Sequence, residues 1–155
     1  MLMRLADEND IDQLIKMRWD FTFEYSEVIE EVDEDFLEFD RECRTFLEAA
    51  LKSKDWFIWI ADRNGQIISH VYVELVHKVP RPGRVTHPFV YMTNVYTLPA
   101  YRGRGIASQL FKKIEDWAKC QKYEFIIVWP SEWSIDFYEQ NGYKHCKAPM
   151  ELSLD

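Results

Sequence analysis

Thr97-Leu98-Pro99-Ala100-Tyr101-Arg102-Gly103-Arg104-Gly105-Ile106-Ala107 reads as a strand end, a short loop with two glycines, and the first turn of a helix. That order suits a diphosphate. The first turn of a helix carries unpaired backbone N–H groups and a partial positive charge. Glycine lets the backbone turn and approach phosphate oxygens without a Cβ in the way. Arg102 and Arg104 add cations to a chain whose formal net charge is −8.

Downstream, the helix extends from about Gly105 to Gln121. Ile106, Ala107, Leu110, Phe111, Ile114, Trp117 and Ala118 form its apolar stripe. Glu124 to Trp129 follows as a short, nearly continuous apolar strand of the kind buried on both faces. Pro130 and Ser131 open a short helix that Asn141-Gly142 terminates. Met150 to Leu154 is expected as a last strand. Strand, loop, helix and strand make a parallel crossover within a mixed sheet.

Upstream, Phe89–Thr97 is a long strand ended by Leu98-Pro99. Pro80-Arg81-Pro82-Gly83 is a loop before it. Trp56–Ala61 and Ile67–Val76 form a hairpin about Asn64-Gly65, where both positions tolerate positive φ. Val71, Val73 and Leu75 then share one face, and His70, Tyr72 and Glu74 the other. A helix from about Asp35 to Ser53 places Phe36, Phe39, Cys43, Phe46, Leu47, Ala50 and Leu51 at three- and four-residue spacing. Before it, Asp7-Glu8-Asn9-Asp10 offers N-caps for a helix carrying Ile11, Leu14, Ile15 and Trp19. Met3 to Ala6 reads as a first short strand.

The 155 residues show no composition break, so 1–155 is expected to be a single domain. Cys43, Cys120 and Cys146 are scattered, with no zinc spacing, which predicts no metal site and idle thiols in a reducing compartment. No apolar run reaches membrane-spanning length, and the N-terminus lacks the apolar core of a signal peptide. A cytoplasmic protein with no membrane partner follows. The acidic balance also argues against a nucleic-acid partner, and one Arg-Gly-Arg-Gly does not reverse that. No Walker A pattern occurs. The glycine pair lies after a long antiparallel stretch, unlike a dinucleotide fingerprint.

A second motif is Phe137-Tyr138-Glu139-Gln140-Asn141-Gly142-Tyr143. With Arg102-Gly103-Arg104-Gly105-Ile106-Ala107 it resembles the GNAT superfamily of acetyl-CoA-dependent N-acetyltransferases, and the element order fits across nearly the whole chain. The resemblance implies an α/β single-domain fold with a mixed, mostly antiparallel central sheet, helices on both faces and a splayed pair of parallel strands. It implies acetyl-CoA as cosubstrate, with CoA the product. Backbone groups of Val95, Tyr96 and Thr97 would hold the pantetheine arm, and amides of Arg102 to Ala107 the pyrophosphate. Tyr138 would protonate the departing thiolate. Relatives often carry an asparagine seven residues before this tyrosine. Here that position is Ser131, and Ser131 or Ser134 either bonds the cofactor arm or caps the helix.

Glu74 is the first candidate for the base that deprotonates the amine, with His70 and His87 behind it. Direct attack with proton loss to water needs none of them. The expected partner is a small-molecule or peptide amine, with a homodimer admissible. Between Glu24 and Glu42 lie ten carboxylates and one cation, Arg41. Glu24, Glu27, Glu30, Glu31, Asp33, Glu34 and Asp35 join the first two helices, and they suggest a small cationic acceptor such as a polyamine or aminoglycoside. The second reading is a non-catalytic acyl-CoA sensor of the same fold.

Overall fold

A computed structural model describes residues 1–24 and 33–154, except the side chains of Asp33 and Glu34. Five strands lie in the order of the chain: β1 (Leu2–Leu5), β2 (Trp56–Arg63), β3 (Gln66–Val76), β4 (Phe89–Thr97) and β5 (Ile126–Ile127). β1 to β4 pair antiparallel, and β4 pairs with β5 in parallel. Among the described residues the α-helices are α1 (Ile11–Phe23), α2 (Asp33–Lys52), α3 (Ile106–Cys120) and α4 (Ile135–Gln140). None of the described helices is long and apolar enough to cross a membrane.

Strand alternation sorts the core into two layers. On β2, Trp59 and Ala61 face α3 and α4 with Val71, Val73, Leu75, Val90 and Met92. Ile58 and Ile60 face α1 and α2 with Ile67, Tyr72 and Tyr96. Helix α3 buries Ile106, Leu110, Phe111, Ile114 and Ala118, the expected stripe. Each such side chain contributes about 1.5–3 kcal/mol of transfer free energy, which seats the glycine loop firmly against the sheet. The β2–β3 hairpin turns on Asn64 and Gly65, both at positive φ, and Gly65 N–H donates to Asp62 Oδ1 at 2.7 Å.

Near the N-terminus the chain uses a reciprocal cap. Asp7 accepts from Asn9 N–H at 2.8 Å, and Asp10 Oδ2 accepts from Asp7 N–H at 2.8 Å. This cap starts a single 3-10 turn, Glu8–Asp10, that runs directly into α1. Buried Asp10 also takes both Arg4 Nη atoms, at 2.7 and 2.9 Å, and Arg4 reaches on to Asp62. One guanidinium thus joins β1, β2 and the start of α1.

Two expectations fail. Glu124–Trp129 does not form a strand buried on both faces. Only Ile126 and Ile127 pair, both half-buried, at the sheet edge. The unbroken apolar run arises because Phe125 stacks on Phe89 at 4.7 Å and Trp129 packs on Tyr91 at 4.6 Å, outside the sheet. Met150–Leu154 forms no strand, and Met150, Leu152 and Leu154 are exposed. Alternation alone does not supply a strand with a hydrogen-bonding neighbour.

Asp10→Asn removes a cap acceptor's charge and two charge-assisted bonds to Arg4. The expected loss is about 2–3 kcal/mol by urea unfolding. A change below about 0.5 kcal/mol would show that the Arg4 junction is marginal to stability.

Candidate active site

Strand β4 begins paired on both sides and then parts from β5 while it stays with β3. Its parallel pairing with β5 covers only Val90–Ile126 and Tyr91–Ile127. On the other side its register with β3 slips: Tyr72 pairs with Thr93, while His70 pairs with Tyr96. Asn94 and Val95 together oppose Val71, a β-bulge, and Asn94 sits at φ 47°. A bulge bends its strand, so the segment after Tyr91 splays away from β5. The wedge between them opens a cleft of about 810 Å³.

His70 braces the bulge. Its ring is fully buried, and Nδ1 lies 2.9 Å from the Asn94 carbonyl. A carbonyl only accepts, so Nδ1 carries the proton. Burial pushes the imidazole pKa down to about 4, and the nearby Arg18 charge adds to that depression. His70 is therefore a neutral strut, and it lies behind the strand and not in the cleft.

The splayed segment supplies the cleft wall. Tyr96 turns its carbonyl toward β3, where Ser69 Oγ donates to it at 3.1 Å. Alternation leaves the backbone groups of Val95 and Thr97 on the cleft side. Val95, Tyr96 and Thr97 all line the cleft. At its end, Gly103 and Gly105 adopt φ 70° and 71°, and Gly105 caps α3 in the left-handed region. The amides opening α3 have no partner within the helix. Gly103, Gly105, Ile106 and Ala107 line the cleft there.

Arg102 lines the cleft too, but its side chain is already engaged. Nη1 and Nη2 donate to Glu24 Oε1 and Oε2 at 2.6 and 2.8 Å, and Nε donates to the Thr97 carbonyl at 2.9 Å. It joins the end of α1 to the splayed strand. Arg104 stands outside the lining, over the Tyr101 ring at 5.6 Å.

The opposite wall comes from the turn before α4. Ser131 and Ser134 both line the cleft, joined by an Oγ–Oγ bond of 2.9 Å, and neither side chain caps its helix. Tyr138 is buried between Phe111, stacked at 5.6 Å, and Tyr143, edge-on at 5.6 Å. It reaches the same cleft. Burial pushes its phenol up to about 12, so it stays protonated through the neutral range.

Glu74 is not brought to this site. It lies on β3 across from Tyr91, partly buried and outside the cleft lining, and His87, in the loop before β4, is outside the lining too. Most of the acidic segment falls outside the described residues: Glu27, Glu30 and Glu31 entirely, and Asp33 and Glu34 by side chain. Asp35 is exposed, and Glu24 is held by Arg102. Among the described residues no carboxylate lines the cleft, whereas Arg18 and Arg102 do. Sequence reading gave no site role to Arg18, Phe21 or Trp129, and it placed Asn94 in the splayed segment without seeing the bulge. The one available signal was a polar Asn94 interrupting an apolar strand.

A family model described as the acetyltransferase (GNAT) family matches residues 12–143. No curated protein matches the chain. Among solved structures, one described as a predicted acetyltransferase with acetyl-CoA, from Clostridium acetobutylicum, is 26% identical. It covers 99% of this chain and 96% of its own, at a TM-score of 0.79. An aminoglycoside 6'-N-acetyltransferase from Acinetobacter haemolyticus (17% identity, 100% and 99% covered, TM-score 0.74) shares the fold. So does a glucosamine-6-phosphate N-acetyltransferase from Arabidopsis thaliana (19%, 100% and 100%, 0.68).

Two outcomes follow from this geometry. Gly105→Val forces a β-branched residue into left-handed backbone, although its Cβ would meet no atom within 4 Å. It should weaken CoA binding at least about tenfold by calorimetry, through displaced amides; unchanged affinity would remove the loop from the site. His70 titrates near 4 folded and at 6.5 unfolded. Below pH 6.5 the unfolded chain therefore binds the extra proton, and stability falls as pH falls toward 4. Between pH 7 and pH 5 this residue should account for a loss of about 2 kcal/mol in urea unfolding. That loss should be missing from His70→Gln, and an equal slope in that variant would contradict the buried neutral imidazole.

Proposed function

We propose, for a chain that belongs to the GNAT acetyltransferase family, that the cleft transfers an acetyl group from acetyl-CoA to a primary amine by direct attack. Membership makes the protein an acetyl-CoA-dependent N-acetyltransferase. The observation that carries the residue roles is the meeting, in one cleft, of the free β4 edge, the two-glycine start of α3 and the Tyr138 hydroxyl.

The donor set fits the cosubstrate. Unpaired amides at the start of α3 and a described lining without carboxylates suit a pyrophosphate. The Val95 and Thr97 edge suits an amide-containing arm laid beside it like an added strand. Acetyl-CoA supplies an activated acetyl group as a thioester and leaves as a thiol. A backbone N–H of the splayed segment would orient the thioester carbonyl and stabilise the negative charge that develops there.

Tyr138 then acts on the leaving sulfur. A phenol near 12 is a weaker acid than a thiol near 8.5. Complete proton transfer from Tyr138 to a thiolate is therefore uphill. Its contribution is a hydrogen bond to sulfur as charge builds, and the thiolate takes its proton from water afterwards. This modifies the simple picture of Tyr138 as an acid.

The amine loses its proton to water, because the described lining contains no carboxylate. Glu74 enters only through intervening solvent. The acidic segment's case for a polyamine or aminoglycoside acceptor finds no support in the described cleft, where the charged side chains are cations. The sensor reading is weakened by Tyr138, which pyrophosphate and pantetheine binding do not require.

CoA release measured across a panel of amines tests the reading. Tyr138→Phe should lower kcat about 10²-fold while changing acetyl-CoA affinity little, and Glu74→Gln should cost less. Wild-type kcat in Tyr138→Phe would remove the tyrosine from the mechanism. Tight CoA binding with no release from any amine would favour the sensor.

A further inference from the structure

Arg18 is the unexplained charge in the cleft. It projects from α1 into the lining beside Phe21, whose ring lies 5.6 Å from its guanidinium carbon and 5.0 Å from the Tyr96 ring. One bond is formed, from Nη1 to Asn94 Oδ1 at 3.2 Å. No carboxylate among the described residues pairs with it, unlike Arg4, Arg44 and Arg102, each of which holds at least one. A guanidinium has five N–H donors, so most of this fork is unmatched by the described residues. The charge is strong enough at this spot to help depress His70.

Asn94, the described hydrogen-bond partner of Arg18, is the bulge residue next to Val95, and the proposed pyrophosphate loop lies at the other end of the splayed segment. An anion held by Arg18 would belong to the acceptor and not to the CoA phosphates. The planar fork matches a carboxylate bidentately.

Taking the acetyl-transfer reading as its premise, we infer that the acceptor is an amino acid or similar small amine whose carboxylate, a few bonds from the nucleophilic nitrogen, is gripped by Arg18. The pairing also assists the chemistry. A free amino acid's own carboxylate helps keep its ammonium protonated. Neutralising that carboxylate with Arg18 lowers the ammonium pKa and releases the amine for attack. A site whose described lining holds no carboxylate base therefore gains nucleophile from the substrate's own charge. Phe21, Tyr91 and Trp129 furnish apolar lining for the amino acid's side chain.

The experiment compares each of several L-amino acids with its carboxamide. CoA release is followed in wild type, Arg18→Lys and Arg18→Met, with thermal melts to confirm folding. Binding of the matching N-acetyl acids and amides to the CoA-saturated protein is measured in parallel by calorimetry. Free acids should exceed amides at least tenfold in kcat/KM and in product affinity. That preference should shrink in Arg18→Lys and vanish in folded Arg18→Met, while acetyl-CoA affinity holds. Equal use of acids and amides, a preference for polyamines, or an acid preference that survives Arg18→Met would each overturn the inference. Those results leave acetyl transfer itself standing, because CoA release from any amine still reports it. Release from no amine, with acetyl-CoA bound, would overturn both.

Discussion

The hydrogen bond from His70 to the Asn94 carbonyl is the constraint on which the site depends. It holds β4 in a bulge at left-handed backbone; beyond Tyr91 the strand leaves β5 while it stays paired with β3. Splaying turns the Val95 and Thr97 edge toward the vacated wedge, which becomes the cleft, with the Thr97 carbonyl held by Arg102. The cost is a buried imidazole whose Nε2 has no partner among the described residues and whose charged form is disfavoured. Such strain persists when surrounding packing over-determines it, and here Tyr72 and Tyr96 enclose the ring at 5.1 and 5.9 Å.

Charge is distributed against the chain's overall balance. A net −8 protein keeps its described carboxylates out of the cleft and places two arginines in it. Arg102 is spent on structure, tying Glu24 and the Thr97 carbonyl together, which links the end of α1 to the splayed strand. Among the described residues Arg18 has few partners for its donors. The start of α3, the proposed pyrophosphate end, offers backbone amides, which carry no counter-charge to be balanced within the protein.

Much of the fold was legible because the signals were periodic. The α3 stripe, the Asn64-Gly65 hairpin and the face of Val71, Val73 and Leu75 follow from helical and strand spacing. The glycine loop was legible because positive φ leaves a residue-type signature at Gly103 and Gly105. Three things were hidden. Asn94 looked like any polar residue in a strand, because a bulge is set by register with β3 and not by local sequence. Arg102 looked like a phosphate ligand until tertiary structure gave it Glu24, 78 residues away. Arg18 was unremarkable on a helix until the fold aimed it into the cleft. The run from Glu124 to Trp129 misled because apolar content does not distinguish a central strand from an edge whose rings pack elsewhere.

The central claim is that the splayed edge of β4 and the start of α3 form one CoA-binding surface. Backbone amide chemical shifts recorded while CoA is titrated into isotope-labelled protein test it most directly. The account predicts that the largest changes fall on Val95, Thr97 and Gly103 to Ala107, with saturation at a common affinity. Changes centred instead on the groove between α3 and the outer edge of β5, around Phe111, Lys119 and Phe125, with the loop amides unmoved, would contradict it.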